Sequence, residues 1–181
     1  AAVITRRILA RSRIQKEWVD EVVLGNAVSA GTGQNLSRQA ALLAGLPVGV
    51  PTFAVNNACG SGLSAVILAA QSIQCQQRGL VVAGGTESAS QNPHLYFKDT
   101  SNEHQQVVPI DSLVHDGLWC HLTQKHMGEL AESITREFKI SRAMQDQYTL
   151  QSHKKATGAW AQGKFLKEVV VVPLSGRKQV D

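Results

Sequence analysis

The most regular stretch of the chain runs from Thr52 to Ile73, where an apolar segment, Thr52-Phe-Ala-Val55, gives way to a few polar residues and then to a second periodicity. Leu63, Val66, Ile67, Ala70 and Ile73 recur at offsets of three, four, seven and ten residues and therefore share one face of a helix. Ser64, Gln71 and Gln74 fall nearer the other face. The pattern predicts a buried strand, a sharp turn and a helix. Gly79-Leu-Val-Val-Ala83 follows as an almost continuously apolar run, which suits a parallel strand covered on both faces. From Thr52 to about Gly84 the chain thus has the length of a βαβ unit with a right-handed crossover.

The flanking segments extend this alternation. Residues 1–15 read as a helix, with Ile4, Ile8 and Leu9 on one side and Arg6, Arg7, Arg11 and Arg13 on a solvated face. Asp20-Glu-Val-Val-Leu-Gly25 predicts a short strand. Gly31-Thr-Gly-Gln-Asn35 predicts a loop whose Asn35 or Ser37 caps a helix through Ala44. From about Gln91 to Val114 the periodicity disappears and polar residues dominate. Met127, Leu130, Ala131, Ile134 and Phe138 mark one face of a further helix, Ser141 caps the next one through about Ala156, and Val169-Val-Val-Val-Pro173 reads as a strand.

Composition narrows the function classes. With 181 residues and 43% hydrophobic content, the chain can bury one ordinary core and a smaller second unit. Eighteen basic against fourteen acidic residues leave a net charge of +4, which suits a polyanionic ligand without requiring one. Aromatic content is only 5%, and no basic helix carries base-reading side chains, so no nucleic-acid partner is expected. No apolar run approaches the roughly 20 residues that cross a bilayer, so no membrane partner is expected either. The three cysteines, Cys59, Cys75 and Cys120, form no C-x-x-C pair and no even framework, which points to a reducing compartment. Cytoplasm is the simplest location, or an organelle matrix if a targeting segment has been removed.

The chemistry gathers at the turn. A strand that delivers Cys59 to the start of a helix places its sulfur near backbone N–H groups and the positive end of the helix dipole, which stabilise negative charge there. Gly60 and Gly62 keep Cβ atoms away from the approach to the sulfur, so that an acyl group can come close and amides can face an oxyanion. Cysteine is also a common buried, inert residue, and the same segment satisfies G-x-G-x-x-A, a dinucleotide fingerprint, with Glu87 near the end of the next strand. Gly31-Thr-Gly-Gln-Asn35 fails that fingerprint because Leu36 stands where its third glycine belongs. His115, Cys120, His121 and His126 lack the spacing of a closed zinc site, so no metal is assigned.

Val55-Asn-Asn-Ala-Cys-Gly-Ser-Gly-Leu63, followed by Val81-Val-Ala-Gly-Gly-Thr-Glu-Ser88, resembles the nucleophile segment and following strand of the thiolases of the acetyl-CoA acetyltransferase type. Gly33-Gln-Asn-Leu-Ser-Arg-Gln-Ala40, Asp116-Gly-Leu118, His126-Met-Gly128 and Ser152-His-Lys-Lys-Ala156 agree in the family's order, so the resemblance covers nearly the whole chain. It implies an α/β, thiolase-like layered fold with a mostly parallel sheet, incomplete, plus part of a helical or loop insertion domain. The expected division is 1–98 for a partial N-terminal α/β domain and 99–181 for a partial CoA-covering loop domain. It further implies an acyltransferase working through a cysteine acyl-enzyme, forming acetoacetyl-CoA or thiolysing a 3-ketoacyl-CoA. The resemblance also implies CoA thioesters as substrates, no separate cofactor, and a homodimer or homotetramer as the full-length parent.

By the same resemblance Cys59 is the nucleophile, Leu118, His126 and Met127 line the acyl and pantetheine path, and Ser152 and Lys154 lie on the CoA side. Bland roles stand beside these: a helix-start histidine for His126, a core filler for Met127, a polar helix face for Ser152, and packing for Cys75. The family's Gly-His-Pro and Cys-x-Gly motifs, which carry the activating histidine and second cysteine, are not in this sequence. The expectation is therefore a chain that does not turn over alone, has an exposed sheet edge that favours association, and is labelled first at Cys59. Three alternatives remain: a nicotinamide-dependent Rossmann enzyme using Gly60, Gly62 and Glu87; a non-catalytic thiolase-like acyl-CoA binder; and a ketoacyl synthase relative that loads from an acyl carrier protein.

Overall fold

The computed structural model describes residues 1–96 and 108–173, which fall into two compact units, 1–119 and 120–181. The boundary expected after residue 98 lies outside the described residues.

In the first unit, α1 (Ala2–Ser12) and a 3-10 turn at Lys16–Trp18 lead into β1 (Glu21–Gly25), followed by α2 (Leu36–Ala44), β2 (Thr52–Val55), α3 (Ser61–Gln74) and β3 (Val81–Gly85). The three strands form a parallel sheet in the order β2-β1-β3. Register pairs Val22 with Thr52 and Gly25 with Val55 on one side, and Glu21 with Val81 and Gly25 with Gly85 on the other. β1 is buried along its whole length, as a central parallel strand covered on both faces must be. Val22 and Leu24 join Leu9, Ala40, Ala41 and Leu46 in the core beneath α1 and α2. Alternation turns Val23 the other way, toward the buried Ala65 and Ala69 of α3. The carboxylate of Asp20 accepts from the N–H groups of Gly79 and Leu80 at 2.7 and 2.9 Å, which ties the start of β3 to β1 and holds that carboxyl below its ordinary range.

Helix α2 begins at Asn35, the first of the two cap candidates, whose side chain accepts from the Arg38 N–H at 3.1 Å. Ser37 is buried inside the helix instead. Helix α3 does not turn its apolar face to the sheet. Leu63, Val66, Ile67 and Ile73 do share a face, but that face is outward: Leu63 is 67% exposed and Ile67 48%. Ser61, Ala65 and Ala69 make the buried side. The cause is close approach. A Cβ on Gly25 would stand 2.3 Å from the backbone carbon of Ser61, and one on Gly85 3.2 Å from the Cα of Gly62. At that separation only small side chains fit between α3 and the sheet. Cys75, expected to pack, ends the helix and is exposed.

Beyond β3, within a stretch that reads from sequence as loop, two-residue strands β4 (His94–Leu95) and β5 (Ile110–Asp111) pair antiparallel, and a π-helical turn at Leu113–Leu118 follows. β6 (Trp119–Cys120) follows.

The second unit contains β7 (Lys125–His126), α4 (Met127–Glu137) and α5 (Arg142–Ala161). His126 caps α4: its Nδ1 accepts from the Gly128 N–H at 3.0 Å, while Glu129 accepts from the His126 N–H at 2.9 Å, a reciprocal capping box. Ser141 caps α5 through the Met144 N–H at 3.3 Å, as expected, and α5 runs to Ala161. Trp160 and Phe165 pack with ring centroids 5.1 Å apart. The strand expected over Val169–Pro173 does not form; Val172 makes only an isolated bridge. Val169, Val171 and Val172 are all exposed, so the apolar run has no sheet face to occupy.

Candidate functional site

Cys59 lies between β2 and α3, beyond the carboxyl end of a parallel strand, where ligands of open α/β sheets bind. Its thiol is exposed. The turn that presents it is closely tied. Ala58, immediately before the cysteine, has φ +46°, a left-handed conformation that a residue with a Cβ rarely adopts. The Ala58 N–H donates to Asn56 Oδ1 at 3.0 Å, and the Ala58 carbonyl accepts from Ser61 Oγ at 2.6 Å. Ser61 Oγ in turn accepts from the Asn57 N–H at 2.9 Å, and Asn57 Nδ2 donates to Ser64 Oγ at 2.9 Å. The left-handed residue of this strand-to-helix turn is thus Ala58, one position before the cysteine.

Two amides of this turn are already engaged: the N–H of Gly60 donates to the Asn57 carbonyl and that of Ser61 to the Ala58 carbonyl. The glycines also divide their labour differently from the sequence reading. A Cβ on Gly60 would meet the Asn57 carbonyl oxygen at 3.2 Å, within the turn itself, while Gly62 faces Gly85 across the helix–sheet contact.

A cavity of about 420 Å³ opens over Cys59, walled by Gly25, Asn26, Ala27, Gly62, Thr86 and Glu87 among others. The carboxyl ends of β1 and β3 supply most of that wall. Glu87 organises it: Oε1 accepts from Asn26 Nδ2 at 2.9 Å, and Oε2 accepts from the N–H groups of Ala27 and Val28 at 2.8 and 3.2 Å. Asn26 Nδ2 also donates to the Thr86 carbonyl at 3.0 Å. The acid that a dinucleotide reading would assign to ribose hydroxyls is thus occupied by three donors of its own chain. Sequence reasoning passed over Asn26, Asn56 and Ser61; the only signal was the Asn56-Asn57 doublet beside the cysteine.

The remaining candidates are placed as follows. Leu118 ends the π-helical turn, half-buried, and is not among the residues lining the Cys59 cavity. His126 is the cap of α4, Met127 its partly exposed first residue, and Ser152 and Lys154 are exposed on α5. Cys120 has its thiol held below the ordinary cysteine range, first by the Thr123 hydroxyl and then by the N–H groups of Thr123 and Leu122. His115 Nδ1 lies 2.7 Å from Asp116 Oδ1. Among the described residues no three His, Cys, Asp or Glu side chains come together to hold a metal ion, and no described helix is long and apolar enough to cross a membrane.

The family model for the thiolase N-terminal domain matches residues 1–181. A probable acetyl-CoA acetyltransferase of Escherichia coli K12 is 42% identical over 172 residues, covering 94% of this chain and 44% of the relative. The acetyl-CoA acetyltransferase of Cupriavidus necator is 41% identical over 178 residues, covering 98% and 45%. Among solved structures, the Acat5 thiolase of Ascaris suum in complex with coenzyme A superposes with a TM-score of 0.88 at 34% identity, over 94% of this chain and 44% of that one. The chain therefore spans a little under half the length of these relatives.

Proposed function

The chain belongs to the thiolase family, and from that premise we propose that Cys59 is an acyl-accepting nucleophile that takes an acetyl or short acyl group from a CoA thioester. The sulfur attacks the thioester carbonyl, the CoA thiolate departs, and a Cys59 thioester remains. In the complete cycle a carbanion formed at the α-carbon of a second acyl-CoA attacks that thioester and releases a 3-ketoacyl-CoA; thiolysis is the reverse. One observation carries the reading: an exposed cysteine follows a left-handed alanine at a strand–turn–helix junction and borders a cavity walled by strand ends. Leu118, His126, Met127 and Ser152 belong to this proposal as acyl- and CoA-side residues, and a homodimer or homotetramer as the parent assembly.

The cycle also needs a base for the thiol and an acid/base for the α-proton. Among the described residues, the only other titratable side chain lining the Cys59 cavity is Glu87, and its oxygens already accept three hydrogen bonds. We therefore expect a half-reaction from this chain: acetyl-CoA acetylates Cys59 slowly, without acetoacetyl-CoA formation or thiolysis. Peptide mapping after incubation with acetyl-CoA should find the acetyl group on the Asn57–Leu63 segment, and Cys59→Ser should abolish it. Acetylation of Cys75 or Cys120 ahead of Cys59 would sink the reading. Transfer from acyl carrier protein in preference to CoA would favour a ketoacyl synthase relative instead.

A further inference from the structure

We propose that Glu87 and Asn56 are positioning residues for Cys59, joined to it through the backbone of Ala27 and Ala58. The inference rests on Cys59 being the acyl acceptor and adds what holds it in place. Oε2 of Glu87 accepts from the Ala27 N–H at 2.8 Å, which fixes the direction of that stretch of backbone as it leaves β1. The Ala27 carbonyl accepts from Asn56 Nδ2 at 2.9 Å. The other end of the same amide, Asn56 Oδ1, accepts from the Ala58 N–H at 3.0 Å. Three hydrogen bonds thus run from the end of β3, across the exit of β1, to the residue before the nucleophile.

The path has a direction because the Asn56 amide has no alternative orientation. One end faces a carbonyl and must be NH₂; the other faces an N–H and must be oxygen. A flipped amide would set donor against donor and acceptor against acceptor. Glu87 likewise faces three donors, Asn26 Nδ2, Ala27 N–H and Val28 N–H, which only a carboxylate satisfies with acceptors alone. Ala58 requires such support, since φ +46° in a residue with a Cβ persists only where its surroundings over-determine it. Ser61 secures the Ala58 carbonyl from the helix side, so the peptides on both sides of Ala58 are held. A loosened Ala58 swings the peptide that carries Cys59, and the sulfur leaves the cavity shared with Asn26 and Glu87.

Amide hydrogen exchange read by NMR tests the relay independently of any activity. In Glu87→Gln one of the two acceptor oxygens becomes a donor, and the Ala58 N–H, three hydrogen bonds away, should exchange about five-fold faster while Ala69 in α3 keeps its protection. Asn56→Asp cannot donate to Ala27 but still accepts from Ala58, so it cuts the path in the middle. In that background Glu87→Gln should have no further effect on Ala58, since two cuts in one path are not additive. An Ala58 rate unchanged by Glu87→Gln, or effects of the two substitutions that add, would overturn the proposal. If Glu87→Gln costs Ala69 its protection, Asn56→Asp carries the test alone, and its effect must reach the Ala27 N–H; an unchanged Ala27 rate overturns the relay. Acetylation of Cys59 by acetyl-CoA is measured alongside and should fall several-fold in each variant. An unaltered chain that is not acetylated at all refutes the acyl-acceptor role, while the exchange rates still decide the relay.

Discussion

At the scale of single residues the three thiols differ in surroundings, and those surroundings set which reagent reports on which. Cys120 has a hydroxyl and two N–H groups as donors to its sulfur, and each favours the thiolate over the thiol. Cys59 has instead a cavity, a strained neighbour and a helix start. Iodoacetamide follows the thiolate fraction, so Cys120 competes with Cys59 for it, and acetyl-CoA is the reagent that reports on the acyl acceptor. Replacing Thr123 by Val removes the largest stabilising contact on Cys120. The pH midpoint of Cys120 alkylation should then move upward, with less thiolate and slower labelling near neutrality. Site-resolved alkylation rates across pH measure this; an unmoved Cys120 midpoint would show that the Thr123 hydroxyl does not govern the thiol.

At the scale of elements, the decisive contact is between the start of α3 and the ends of β1 and β3. Gly25 is the last residue of a strand buried along its whole length and lies against the backbone of Ser61 and Gly62. A methyl group there would overlap main-chain atoms at 2.3 to 2.5 Å, which no side-chain rearrangement relieves. Gly25→Ala should therefore cost at least ~2 kcal/mol in denaturant unfolding, at the upper end of overpacking effects. Since the displaced segment carries Cys59, acetylation should fall in the fraction that remains folded. Gly49→Ala is the control, because no atom lies within 4 Å of the Cβ it would add.

For the whole molecule, the apolar side of α3 faces outward, and β2 and β3 are the outer strands of the sheet among the described residues. Open strand edges and a contiguous apolar helix face both favour pairing with another surface. The chain by itself should associate as its concentration rises, seen by light scattering or sedimentation. Ile67→Glu, on the outward side of α3, should reduce that association without lowering the unfolding midpoint. A chain that stays monomeric at high concentration would refute this.

Much of this was legible in the sequence, for reasons that are local. Period-two and period-3.6 patterns are properties of a segment and its neighbours, so the strand at Thr52, the helix after Gly60, the caps at Asn35 and Ser141 and the turn at Cys59 all follow from residues a few positions apart. Motif order over nearly the whole chain carried the family. What the pattern could not supply was the partner of each face. Leu63, Val66, Ile67 and Ile73 share a side by helical geometry alone, but the glycine contact with β1 and β3 turned that side outward and gave the sheet to Ala65 and Ala69. Val169–Val172 has strand composition but, among the described residues, makes no more than a single bridge at Val172, and a ladder needs a partner as much as a propensity. Glu87, which the runner-up dinucleotide reading of the sequence places on a ribose, became the anchor of the β1 exit because folding brings residues sixty positions apart within 2.8 Å. Hydrogen-bond partners at such separation are set by tertiary structure, since the residue types that make them are too common for spacing to single out.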